Sequence, residues 1–156
     1  MRERFSKLYK IEKSFWDISN DLDLAHIPYM FRALYAPKVD NFFAHTKNPY
    51  HRLISAFLYR YKKKSFEDFC LNHLLTFNFD NSFKSNIIHF YPQFMFVSNV
   101  NGDVCVKTEK LEDFQTFKDF SLPTYNLKQY FSNPKVLEIV NMVYERDFIE
   151  FGYEKI

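Results

Sequence analysis

Glycine is nearly absent: the 156 residues include only Gly102 and Gly152. A GxGxxG dinucleotide fingerprint and a Walker A loop each need several glycines in one short stretch, so neither is present. Collagen-like chains and flexible glycine linkers are excluded for the same reason. Cysteine is also scarce. Cys70 and Cys105 make no CxxC and no disulfide framework, and each is expected to pack as a small apolar residue. No stretch approaches the ~20 apolar residues of a membrane span. The start, MRERFSKLYKIEKSFW, carries charge but no apolar run of the signal-peptide kind. The expectation is a cytoplasmic chain with no membrane segment. The formal net charge of +2 is too small to argue for nucleic acid by itself.

Aromatic residues, by contrast, are abundant. Phe, Tyr and Trp make up 21% of the chain, so aromatic packing should dominate the core. A hydrophobic share of 47% excludes disorder, and the length suits one domain over residues 1–156. Basic residues cluster at Arg2, Arg4, Lys7, Lys10 and Lys13 and again at Arg60, Lys62, Lys63 and Lys64. Such runs read as solvated helix ends.

The spacing predicts a mostly helical stretch over residues 11–36, broken at Pro28, with an apolar stripe of Leu22, Leu24, Ile27, Met30, Phe31 and Leu34. Residues 41–46, NFFAHT, suit a strand buried on both faces. Asn48 then offers a cap and Pro49 a first helical residue, and Leu53, Ile54, Phe57, Leu58 and Tyr61 form one apolar face. Lys62 to Lys64 are expected in the last turn, where cations complement the helix dipole. Ser65 with Asp68 three residues on begins another helix that turns Phe66, Phe69 and Leu74 inward. Residues 76–88 read as a long loop. Residues 94–98 and 104–106 look like short strands joined around Asn101-Gly102, a pair suited to a tight turn. Helices are expected over residues 110–119 and from Asn133-Pro134, the last with Val136, Leu137, Val140, Val143 and Tyr144 on one face. Strands alternating with helices favour an α/β layered fold with a parallel sheet.

The most informative stretch is FFAHTKNPYHRLISAFLYRY, residues 42–61. It reads as strand, turn and helix. Lys47 falls at the carboxyl end of the strand beside a helix amino terminus, where unpaired N–H groups favour an anion. Ser55 offers a hydroxyl about two turns on, and Arg52 can add a fork of donors. A phosphate fits these parts. Equally, Lys47 can be read as a surface lysine and Ser55 as a helix filler.

KNPYHRLISAF resembles the 3′-phosphate-binding segment of sulfotransferases that use 3′-phosphoadenosine 5′-phosphosulfate (PAPS), approximately R-[ND]-P-x-x-R-L-x-S-x-[YF]. Lys47 stands where that family has its first Arg, which keeps the charge but loses the bidentate fork. Ser55 stands where it has the Ser, and both positions contact the 3′-phosphate in the family. Three more stretches are similar to the same family in the same order: HFYPQFMFV at residues 89–97, GDVCVKTEKLEDF at 102–114 and VYERDFIEFGY at 143–153. The likeness covers about residues 22–153 and points to the carbohydrate O-sulfotransferases, especially the uronosyl and heparan sulfate 2-O type. It implies a P-loop-nucleotide-hydrolase-like, three-layer α/β/α domain with a short, mainly parallel sheet, abbreviated at the N-terminus. It also implies PAPS as sulfuryl donor and a carbohydrate acceptor.

The resemblance further implies a base. In the 2-O group a Gly-His pair precedes the phosphate strand, and its His takes the acceptor proton. His26 lies a similar distance ahead of Lys47, with Ala25 in place of the Gly. A sugar hydroxyl needs such a group, because it is a poor nucleophile until a base near neutral pKa takes its proton. His26 can also be read as a residue that caps or packs at the turn before Pro28. Among the other histidines, His45 reads as a core residue, His51 as solvent-facing, His73 as lacking a nameable partner and His89 as part of the second motif. No histidine pair has metal-ligand spacing with an acidic neighbour, so no metal is expected.

One part of the family pattern is missing. Its 5′-phosphosulfate loop reads P-K-x-[AG]-[GS]-T-S, and backbone N–H groups with a Lys hold the phosphate there. The nearest stretch, YKIEKSF at residues 9–15, supplies Lys10, Lys13 and Ser14 but places Glu12 where phosphate would lie. The same residues also read as the start of an amphipathic helix. Two expectations follow: a PAPS-dependent sulfotransferase with a rebuilt loop, or an inactive relative that binds an anion or a protein. No nucleic-acid motif is present, so residues 59–64 are not taken as a nucleic-acid surface.

Overall fold

The computed structural model describes residues 18–19, 22–23, 26, 28–31, 42–84, 86–113 and 123–156. Within these, chain order runs β1 (Ile18–Ser19), β2 (Leu22–Asp23), β3 (Phe43–Thr46), α1 (Pro49–Arg60), α2 (Phe66–Asn72), α3 (Phe94–Val97), β4 (Lys107–Lys110), α4 (Leu127–Tyr130), α5 (Pro134–Val143) and α6 (Glu145–Phe151). Single 3-10 turns lie at Tyr29–Phe31, Leu74–Thr76, Ile88–Phe90 and Leu111–Asp113.

Helix starts follow local chemistry. The Asn48 side chain accepts from the Tyr50 N–H and Pro49 opens α1; Asn133 does the same for Lys135, with Pro134 opening α5. Ser65 accepts from the Asp68 N–H at the head of α2. Each cap satisfies a donor that the first turn leaves unpaired. At the far end of α6, Gly152 takes the left-handed conformation (φ 63°) that ends the helix.

β3 and β4 pair in parallel, Phe43 opposite Lys107 and Thr46 opposite Lys110. A parallel pair needs a long crossover, and here the chain from α1 through α3 supplies it. The architecture is therefore mixed helix and strand around a short two-stranded parallel sheet. The main core lies among the helices and is aromatic, as composition predicts: Tyr50, Phe57, Phe66, Phe69, Phe90, Tyr144 and Phe148 all lie in it. Phe57 meets Phe66 edge-on at 5.2 Å and Tyr50 meets Phe131 at 4.9 Å, arrangements that ring quadrupoles favour. No helix among the described residues is long and apolar enough to cross a membrane.

Several expectations need correction. Across residues 11–36 the described pieces are the antiparallel pair β1–β2 and one 3-10 turn after Pro28, so Leu22 belongs to a strand and not to a helical stripe. Leu24, Ile27 and Leu34 lie outside the described residues. β3 is not buried on both faces: among the described residues it has one strand neighbour, and Phe43 is 47% exposed. Helix α1 ends at Arg60, so Lys62 to Lys64 follow it in turns. Residues 94–98 are not a strand but a helical turn followed by a single bridge from Ser98 to Val104. The strand expected at residues 104–106 lies at Lys107–Lys110 instead, with Val104 in a single bridge. Of the helix expected over residues 110–119, Lys110 is strand, Leu111–Asp113 form a 3-10 turn and residues 114–119 lie outside the described residues. Cys70 is buried and desolvation pushes its thiol up to about 12, but Cys105 is exposed and does not pack inward.

Candidate functional site

The turn from β3 into α1 is held by three other segments. The Lys47 N–H donates to Gln93 Oε1 at 2.8 Å, and Gln93 Nε2 donates back to the Lys47 carbonyl at 2.8 Å. Gln93 is itself fixed by Asp147, which is fully buried. Asp147 accepts the N–H groups of Gln93 and Phe94, both at 2.8 Å, with Gln93 Nε2 at 3.4 Å. Burial pushes the Asp147 carboxyl up, and the nearby Arg52 charge and these donors pull it back. On the other side of the turn, the Asn48 N–H donates to Glu112 Oε1 at 2.8 Å. Tyr153 donates its hydroxyl to Glu112 Oε2 at 2.9 Å. That proton being used, Thr46 Oγ1 is the donor in its 3.3 Å bond to the Tyr153 oxygen.

Lys47 is half-buried, and its Nζ lies 5.8 Å from the centre of the Tyr125 ring. Desolvation lowers its pKa most; Glu112 opposes this and Arg52 adds to it. His51 is half-buried where a solvent-facing residue was expected, because the Tyr125 N–H donates to its Nδ1 at 3.3 Å. That bond requires the neutral ring with its proton on Nε2. Burial and then the Lys47 charge lower its pKa.

Arg52 points inward. Its Nη1 donates to the Tyr91 carbonyl at 2.7 Å, and its guanidinium lies deep enough to feel Tyr144 and Asp147. It braces the turn from behind. Ser55 is half-buried on α1. By helical spacing it shares a face with His51, Arg52 and Tyr59. That face continues to the candidate base: His89 packs edge-on against Tyr59 at 5.2 Å, and His26 packs edge-on against His89 at 4.9 Å. Lys47 and His26 therefore mark opposite ends of α1, with Ser55 between them. Lys10, Lys13 and Ser14 lie outside the described residues.

His73 has the partner that sequence could not name: Lys64 Nζ sits 2.7 Å from its Nε2. Near the carboxyl ends of β3 and β4 lies a cleft of about 340 Å³, carrying Glu109, Asp113 and Glu150 with Lys110 as its basic member. Lys110 Nζ is itself bound to the Gly152 carbonyl at 2.7 Å. Among the described residues no group of three or more His, Cys, Asp or Glu could hold a metal ion.

Sequence reasoning assigned no role to Gln93, Glu112, Asp147 or Tyr153, although all four stand in the segments that carried the resemblance. Their signal was membership of those segments, since separations of 46 to 107 residues give no local pattern. No family model, no curated protein and no solved structure matches the chain.

Proposed function

We propose that the chain is a sulfotransferase-like domain whose strand-to-helix turn binds the 3′-phosphate of PAPS and which passes the sulfuryl group to a carbohydrate hydroxyl. The observation that carries this reading is the meeting of the four resembling segments at one turn. Gln93 clamps the Lys47 main chain, Asp147 fixes Gln93, and Glu112 and Tyr153 close the other side. Four stretches similar to one family only by accident would have no reason to converge. The reading includes the P-loop-like three-layer architecture, of which the described parallel pair is the central part.

Lys47 supplies charge to the phosphate and Ser55 a hydroxyl, with Arg52 holding the helix from the core side. Lys47 is suited to this by its half-burial, which strengthens its field on a bound anion. His26 takes the acceptor proton as the acceptor oxygen bonds to sulfur and the bond from sulfur to the 5′-phosphate oxygen breaks. Positioning and charge stabilisation then dominate, as in phosphoryl transfer. Lys10 or Lys13, with Ser14, steadies the leaving phosphate.

A second reading, an inactive relative that binds an anion or a protein, is favoured by one observation. The N–H groups of Lys47, Asn48 and Tyr50 are already taken by Gln93, Glu112 and the Asn48 side chain. Incubation with sulfur-labelled PAPS and a uronic-acid oligosaccharide separates the two. The enzyme reading predicts transfer of label that Lys47→Ala and His26→Ala abolish. Retained nucleotide binding with no transfer supports the second reading.

A further inference from the structure

The turn proposed to hold the 3′-phosphate is already in contact with a negative charge supplied by the chain. Glu112 lies on the 3-10 turn that follows β4, and the parallel pairing of β4 with β3 brings it beside α1, 64 residues away in sequence. Its Oε1 accepts the Asn48 N–H at the head of the helix, where the helix field is positive. Its charge is felt by both Lys47 and His51 and raises the proton affinity of each. These are the groups an incoming phosphate needs: an N–H at a helix amino terminus, an ammonium, and a ring that can donate.

We infer that Glu112 is a resident anion of this turn, and that an external phosphate binds by displacing it. The inference rests on the phosphate-site reading above and adds how that site is regulated. Three features fit a displaceable occupant. Glu112 is exposed, so its carboxylate can move into water. Its support is one N–H and one hydroxyl, with no guanidinium fork among its described bonds. By contrast Gln93, on the opposite side of the turn, is buried and bonded at both ends, so it forms the fixed wall. The turn thus has a rigid side and a removable side. With Glu112 seated, a dianionic phosphate meets a like charge at close range. With Glu112 swung out, it meets Lys47 and a freed Asn48 N–H.

The neutral isostere separates charge from shape. Glu112→Gln keeps one oxygen for the Asn48 N–H and removes the repulsion; its NH₂ faces the Tyr153 hydroxyl, which accepts from it and turns its own proton to Thr46 Oγ1. Binding of 3′,5′-adenosine bisphosphate to the full chain is measured by calorimetry, with far-UV circular dichroism as a check on folding. Glu112→Gln is expected to bind about tenfold more tightly than the wild type, the size of one like charge at close range near a surface. Glu112→Asp, which keeps the charge but shortens the reach to Asn48, is expected to fall between them. Asp113→Asn removes a neighbouring charge and is expected to stay within about twofold of wild type. Lys47-dependent binding that is equal or weaker in Glu112→Gln overturns the role of Glu112 and leaves the phosphate site standing. So does an equal gain from Asp113→Asn, which makes the effect one of net charge. Absence of binding by all variants at millimolar ligand overturns both.

Discussion

Gln93 bonds the Lys47 main chain at both its N–H and its carbonyl, each at 2.8 Å, across 46 residues of sequence. A side-chain amide has one acceptor and one donor end, and this geometry uses both on one residue. The position of Lys47 is therefore set by Gln93, and the position of Gln93 by Asp147 beneath it.

Truncating the clamp should show this. Gln93→Ala leaves the Lys47 N–H and carbonyl without partners in a half-buried site, at an expected loss of about 2 kcal/mol in urea unfolding. Gln93→Glu should cost more, although its shape is the same. It replaces the Nε2 donor with a carboxylate oxygen facing both the Lys47 carbonyl and Asp147. A Gln93→Glu protein as stable as wild type would contradict the clamp.

Asp147→Asn is expected to be worse still, at about 3 kcal/mol. A carboxylate offers an oxygen to each of the Gln93 and Phe94 N–H groups. An amide offers one oxygen, so one N–H must face an NH₂, and Arg52 loses its nearby countercharge. Thermal unfolding followed by circular dichroism measures the loss.

Gly152→Ala tests the end of α6. A Cβ there would meet the Lys110 Nζ at 3.8 Å, an ordinary contact, so space is not the obstacle. The φ of +63° is, and the expected loss is about 1 kcal/mol. Gly152→Val should lose more, because a β-branched residue is less tolerant of that conformation.

Stability should fall on mild acidification. His51 is held below its ordinary value of 6.5 by burial and by the Lys47 charge, with Glu112 opposing. Between the two values the unfolded chain binds this proton more readily than the folded chain. Stability is then fully present above about pH 6.5 and is lost as pH falls through that value to the lower folded pKa. His45, lowered mainly by burial, acts in the same direction. Urea midpoints measured above and below this window should differ, and His51→Asn, which keeps an acceptor near the Nδ1 position, should reduce the difference.

Sequence and structure agree where the determining chemistry is local. Asn48-Pro49 and Asn133-Pro134 carry both cap and first residue within two positions, and α1 and α5 start there. Phe94 to Val97 is the instructive failure. FMFV is apolar enough for a strand, yet the N–H groups of Gln93 and Phe94 are taken by Asp147, more than 50 residues on, at the head of a helical turn. Partnership with a distant carboxylate decided the conformation, and no window of the sequence contains it. Spacing marks Lys47 and Ser55 as candidate site residues, whereas Gln93, Asp147 and Glu112 reach the Lys47 turn only through tertiary contact.

The central claim is that the Lys47 turn receives the 3′-phosphate of an adenosine nucleotide. Calorimetry of 3′,5′-adenosine bisphosphate against 5′-adenosine monophosphate, on the wild type and Lys47→Ala, tests it most directly. The account predicts that wild type prefers the bisphosphate by at least about tenfold, the equivalent of 1.4 kcal/mol, and that Lys47→Ala erases the preference. Equal binding of the two nucleotides, or a preference that survives loss of Lys47, would contradict it.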